Sequence, residues 1–238
     1  MWVKLVNINR ESNSLNTRTV YDITKFTHVD YPDHLACIIW LSGCNMRCDY
    51  CYNKDIVFAK EGSHTFVDVL EFLKTRVGLL EAVVLSGGEA TMHNLVEFSY
   101  AIKELGFKIK LDTNGTNFTQ VKKLIELDLL DFVALDYKAP KEKFTQITHS
   151  NKYEEFSKTL DFLIESNTAF EARTTLHSDL LSTEDINSII KDLKRRGYKN
   201  NYYIQSFLDT KINIANLKAP TSTFDKSILL DELNIIWR

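Results

Sequence analysis

Cysteine is scarce in this 238-residue chain, and three of its four copies crowd into residues 44–51. Secreted disulfide frameworks are short and cysteine-dense, so the chain is not one of them. With only three prolines and eight glycines, no Pro/Gly linker or low-complexity tract divides it. One domain, or one with a small appendage, is expected. Charge of one sign is also lacking: the formal net charge is −3. That balance gives no electrostatic footprint for nucleic acid or an anionic membrane. No run approaches the roughly 18 consecutive apolar residues of a membrane helix. Residues 1–16 lack the apolar stretch of a secretory signal. The cytoplasm is therefore the expected compartment, where clustered thiols more often bind metal than pair.

What is present is alternation. Apolar runs of strand length occur at residues 35–41, 82–85, 107–111, 132–136, 170–176 and 202–207. Between them lie segments with apolar residues three and four apart. One face is Phe66, Val69, Leu70 and Leu73; another is Leu95, Phe98, Ile102 and Leu105, stopped by Gly106. Val121, Leu124 and Ile125 mark a third, and Phe156, Leu160, Leu163 and Ile164 a fourth. Ile186, Ile189, Ile190 and Leu193 make the fifth, stopped by Gly197. Such repetition predicts βαβ units with right-handed crossovers, an α/β fold with a parallel sheet. Functional groups then gather at the carboxyl ends of the strands.

The motifs fall there. After the first strand comes Cys44-Asn45-Met46-Arg47-Cys48-Asp49-Tyr50-Cys51, the spacing C-x3-C-x2-C. Random placement of four cysteines gives roughly 0.001 such arrangements, so chance does not explain it. Three thiolates leave a four-ligand shell one short, and an iron so held stays open to a small molecule. The residues alone leave two alternatives open, a zinc site completed by a distant histidine and a purely structural or electron-transfer cluster. Cys37 lies inside an apolar strand and reads as a buried, unreactive thiol.

The second strand ends in Ser86-Gly87-Gly88-Glu89, where two glycines let the backbone approach a ligand and a carboxylate can meet a cationic amine. The third ends in Asp112-Thr113-Asn114-Gly115, and the fourth in Asp136-Tyr137-Lys138. An acid emerging from an apolar strand needs a partner, and Lys138 or a bound cation would serve Asp136. The fifth strand carries Arg173, suited to a carboxylate, and leads to His177. Gln205 lies in the sixth.

The cysteine motif, with Tyr50 at its aromatic position, resembles the signature of the radical S-adenosylmethionine superfamily. The resemblance implies a partial parallel (β/α)6 barrel, one [4Fe–4S] cluster on Cys44, Cys48 and Cys51, and S-adenosylmethionine on the fourth iron. It places the Tyr50 backbone near the adenine. Gly87, Gly88 and Glu89 then hold the methionine end, Asp112, Thr113 and Asp136 lie near the carboxylate or ribose, and Asn114 is a further cofactor-binding candidate. A monovalent cation is a further possible occupant there. Lys138 and Arg173 balance nearby negative charge, and His177 and Gln205 are further cofactor-contact candidates.

From about Ile23 to Phe207 the chain resembles activating proteins of glycyl-radical enzymes, above all the longer form acting on anaerobic ribonucleoside-triphosphate reductase. That implies a glycyl-radical enzyme as partner and a flavodoxin or ferredoxin as electron donor. Modification of a small molecule or peptide by the same core is the alternative, and a non-catalytic iron–sulfur or zinc module a further one. Tyr52 stands where the family often has histidine, Asp33 where glycine often follows Asp-Tyr-Pro, and Ala90 where proline usually follows the Gly-Gly-Glu. Residues 1–21 and 218–238 are expected to be extensions flanking a core at 22–217.

Overall fold

The structure, a computed structural model, describes residues 15–238. Eight strands form one sheet in the order of the chain. They are β1 (Val20–Thr27), β2 (Ala36–Leu41), β3 (Ala82–Gly87), β4 (Lys108–Thr113), β5 (Phe132–Asp136), β6 (Phe170–Leu176), β7 (Tyr202–Ser206) and β8 (Ile235–Trp237). From β2 to β8 every pairing is parallel; β1 pairs antiparallel with β2. The six expected strands are all present, and β1 and β8 are added at the two edges. Most of the expected 1–21 extension lies outside the described residues. Residues 218–238 run along the outside and supply β8.

Among the described residues seven α-helices connect or flank the strands: α1 (Lys54–Phe58), α2 (Phe66–Lys74), α3 (Val96–Glu104), α4 (Phe118–Glu126), α5 (Lys141–Thr148), α6 (Tyr153–Glu165) and α7 (Thr183–Arg196). Capping boxes start α2 at Thr65/Asp68 and α7 at Ser182/Asp185, satisfying backbone donors that would otherwise be orphaned. Gly197, with φ at +91°, ends α7 in the left-handed conformation. No described helix is long and apolar enough to cross a membrane.

The two faces of the sheet differ, and that difference makes the site. Ile109, Leu111, Val133, Leu135, Ala172 and Ile204 point outward into the large core shared with the helices. Alternate residues point inward, where Ala36, Ile38, Ala82 and Val84 pack with Tyr31, Trp40 and Phe132 at the amino ends. Toward the carboxyl ends the inner row turns polar: Ser86, Asp112, Asp136, Arg173, Thr175 and Gln205. Parallel register sets Trp40 beside Ser86, Asp136 beside Arg173, and Thr175 beside Gln205. Full burial of each outward aliphatic contributes about 1.5–3 kcal/mol, which holds the costly polar row in place.

Candidate active site

The polar row faces a cavity of about 310 Å3 at the carboxyl ends of the strands. Its wall includes Cys44, Cys48, Tyr50 and Cys51 from the loop after β2, and Gly87, Gly88 and Glu89 from the end of β3. Asp112, Thr113, Asn114, Asp136, Lys138, Arg173 and Gln205 complete the expected set. Of the candidates, His177 alone is absent from the wall. Its ring is buried against Phe207, 4.6 Å between centroids, and its Nε2 sits 2.9 Å from the Lys218 carbonyl. The stretch after Lys218, which the sequence left without a role, occupies the histidine.

The cysteine loop is fixed from several sides. Gly43, at φ +80°, donates its N–H to Ile56 O at 2.8 Å, and Glu89 N–H reaches Gly43 O at 2.9 Å. Arg47 and Asp49 donate their backbone N–H groups to Thr148 O and Ile147 O at the end of α5. Ile214 and Ala215 donate theirs to Cys51 O and Asp49 O, so residues 213–215 cross the loop like a strap. The Arg47 guanidinium donates to Cys44 O and Met46 O, both at 2.6 Å, and lies 4.6 Å over the Phe58 ring.

Two glycines let the β3 loop approach this one. A Cβ on Gly87 would meet Leu41 backbone at 2.3 Å, and one on Gly88 would meet Gly43 O at 1.9 Å. Any side chain there would fill the approach between the two loops.

Electrostatics follow burial. Desolvation pushes the Cys48 thiol up to about 12 and Cys44 to about 11, with the Lys138 ammonium pulling the other way. Buried thiolates here are favoured by nearby positive charge. The acids have it already. Asp136 accepts from Arg173 Nε at 2.5 Å and Lys138 Nζ at 2.8 Å. Burial raises its carboxyl, but the two cations outweigh that and hold it near 2. Asp112 Oδ1 lies 2.9 Å from Lys110 Nζ and 3.5 Å from Arg173 Nη1, and its carboxyl is likewise lowered against burial.

Glu89, expected to face a cationic amine, lies on the cavity wall with its carboxylate also held from inside the protein. Oε1 accepts from Thr91 Oγ1 at 2.5 Å, Thr91 N at 3.1 Å and Thr113 Oγ1 at 2.7 Å; Oε2 accepts from Asn114 N at 2.7 Å. Oε1 is thus fully engaged, while Oε2 has one partner and keeps acceptor capacity on the cavity wall. Sequence reasoning also gave no role to Lys110, Asn45 or Arg47. Lys110 was legible as the residue two before Asp112, hence on the same face. Its ammonium is buried between Asp112 and the Asp30 carbonyl, 2.6 Å away.

The cavity fits a sulfur-bound cluster with a polar, zwitterionic ligand. Three thiols share its wall, both signs of charge are present, and the buried Tyr50 hydroxyl has no hydrogen-bond partner. An unpaired buried hydroxyl costs about 1–3 kcal/mol, a penalty that a polar occupant would remove.

The family model of the Radical SAM superfamily matches residues 38–194, and the chain belongs to that superfamily. Its members bind a [4Fe–4S] cluster and S-adenosylmethionine. A protein of Methanocaldococcus jannaschii, provisionally named a glycyl-radical enzyme activating enzyme, is 32% identical over 185 residues, 74% of this chain and 75% of that one. The pyruvate formate-lyase-activating enzyme of Streptococcus mutans is 32% identical over 152 residues, 57% of each chain. These relatives make the chain a radical SAM oxidoreductase of the glycyl-radical enzyme activating type. Native anSMEcpe with bound AdoMet superposes with a TM-score of 0.59 at 21% identity, over 71% of this chain. The chain spans 50% of that enzyme's length. QueE from Escherichia coli matches over 96% of this chain and 99% of its own, at a TM-score of 0.53 and 17% identity. At such identities the likeness is one of fold.

Proposed function

We propose that the chain generates a glycyl radical on a partner enzyme, an anaerobic ribonucleoside-triphosphate reductase, with Cys44, Cys48 and Cys51 holding the cluster. The observation that carries this reading is the convergence of three thiols, the Gly-Gly-Glu loop and the strand-end charges on one cavity. When bound, the cluster and S-adenosylmethionine supply one-electron cleavage of the sulfonium and a 5′-deoxyadenosyl radical able to take hydrogen from a C–H bond. The protein's part is to orient the cofactor and exclude competing reactions.

Lys138 and Arg173 keep Asp136 ionised and in place at any physiological pH. Gly87 and Gly88 bring backbone groups beside the cysteine loop, where the methionine end is held. Gln205 and the Tyr50 backbone face the remainder of the cofactor. No side chain is required as a general acid or base. The target C–H is a glycine Cα, whose radical is stabilised by delocalisation into the flanking amides. The exposed apolar side chains Tyr52 and Leu208 on the cavity wall suit entry of a protein segment. A flavodoxin or ferredoxin delivers the electron.

The test is anaerobic. Protein reconstituted with iron and sulfide receives dithionite and S-adenosylmethionine, with and without the reductase, and 5′-deoxyadenosine and the glycyl radical are quantified. Both products, lost in Cys44→Ala, are expected. Deoxyadenosine without any radical on the reductase would reject that partner, and a fully active Cys44→Ala protein would sink the cluster assignment.

A further inference from the structure

The cysteine loop and the two cofactor-facing loops are joined by side chains as well as by backbone. Asn45, inside the cysteine motif, accepts at Oδ1 from Asn114 Nδ2 at 2.9 Å and donates from Nδ2 to Thr116 Oγ1 at 2.8 Å. Thr116 in turn donates from Oγ1 to Asn114 Oδ1 at 2.7 Å and from its N–H to the same oxygen at 3.0 Å. The ring closes: each side chain both donates and accepts. Asn114 N–H then binds Glu89 Oε2, and Thr113 and Thr91 bind Oε1. Glu89, Asn114 and Thr116 are at most 4% exposed. Asn45 is half-buried and closes the ring from the cysteine loop; a largely buried hydrogen-bonded network of this kind is rigid and strongly directional.

From this geometry we infer that Asn45, Asn114, Thr116 and Glu89 form a clasp that sets the register of the cysteine loop against the loops after β3 and β4. Resting on the function proposed above, the clasp makes Asn45, Asn114 and Glu89 positioning residues: they place the cluster loop relative to the cofactor cradle. Glu89 Oε1 and Asn114 Oδ1 are engaged within the protein, and through those atoms the two residues act on their neighbours. The asparagine at position 45 is required as both donor and acceptor; aspartate keeps only the second function and alanine neither.

Two readouts separate the clasp from the function it serves. In the metal-free chain, Thr116→Val removes the hydroxyl at nearly constant volume. The clasp predicts that amide hydrogen exchange then rises in the cysteine loop as well as in the β4 loop, and that Asn45→Ala gives the reciprocal pattern. Exchange rising only in the substituted loop would overturn it. In the reconstituted enzyme both variants are expected to keep the iron content of the parent and to bind S-adenosylmethionine about ten-fold more weakly, followed by the cofactor-induced change in the EPR spectrum of the reduced cluster. The double variant Asn45→Ala/Thr116→Val is expected to fall no further, since one unit is broken once. Additive losses would overturn the clasp. If the parent cluster itself does not respond to S-adenosylmethionine, the functional reading fails, while the exchange experiment still decides the clasp.

Discussion

Gly88→Ala is the smallest change that should separate the two loops of the site. The added Cβ lies 1.9 Å from Gly43 O, 2.6 Å from Gly43 C and 3.2 Å from Cys44 Cβ. Neither of the first two is a side-chain end that can rotate away; both are backbone. Real Cβ contacts do not fall below 3.0 Å, so the loops must part by about 1 Å, a displacement that near reacting atoms costs on the order of 10²-fold in rate. The Glu89 N–H to Gly43 O bond is lost in the same movement, removing about 0.5–1.5 kcal/mol. The assay is 5′-deoxyadenosine formation per cluster after anaerobic reconstitution, with iron measured in the same samples. Gly78→Ala is the control. That glycine has positive φ, at +78°, but an added Cβ meets nothing within 4 Å. It should cost only about 1–2 kcal/mol of left-handed strain and leave turnover per cluster unchanged. If Gly88→Ala turns over at the parent rate with parent iron, the approach of these loops does not govern the chemistry.

Other perturbations test other layers. Cys37→Ala should retain iron and turnover while lowering thermal stability by about 1 kcal/mol, because this buried thiol packs in the core; loss of iron would make it a ligand. Arg173→Ala should raise the pH of acid unfolding: Asp136, held near 2 against 3.8 unfolded, contributes roughly 2 kcal/mol that is complete above about pH 4 and lost as pH falls toward 2. With the guanidinium gone the loss should begin at higher pH, visible in circular dichroism. Tyr50→Phe should leave the metal-free chain as stable or more so by calorimetry, since it deletes a buried hydroxyl with no partner. Asp33→Gly should raise the melting temperature, since Asp33 is exposed with φ at +62° and relief of that conformation is worth about 1 kcal/mol.

Asp33 also illustrates what the sequence could convey. Glycine often follows Asp-Tyr-Pro in the proteins this chain resembles, and the left-handed backbone at residue 33 is the physical reason. The six inner strands were legible because each has an outward face that is apolar and buried, and β2, β3 and β5 add apolar residues on the inner face. The five long amphipathic faces were legible because each buries one stripe against the sheet. β1 was not, since register shifts between Val20 and Asp22 and between Thr24 and Thr27 break its period of two. β8 has three residues and α1 has five, too few for any pattern to repeat.

The site was legible in its residue types but less so in their partners. Every candidate that cysteine spacing and strand-end residues named, except His177, lies on the wall, because parallel register converts sequence position into depth along the inner face. Hydrogen bonds between loops have no such rule. Glu89 and Asn45 lie 44 positions apart, and neither carries a periodic signal linking it to Thr116. His177 lies off the wall for the same reason from the opposite side. Its partner is a backbone carbonyl 41 residues downstream, in a segment without regular structure, and no side-chain pattern foretells a backbone acceptor. The residues whose roles could be read early are those that act through what they are. Those that act through whom they meet, Asn45 above all, are visible only in the folded chain, where the cysteine loop and the loop after β4 share one ring of hydrogen bonds that Glu89 ties to the loop after β3.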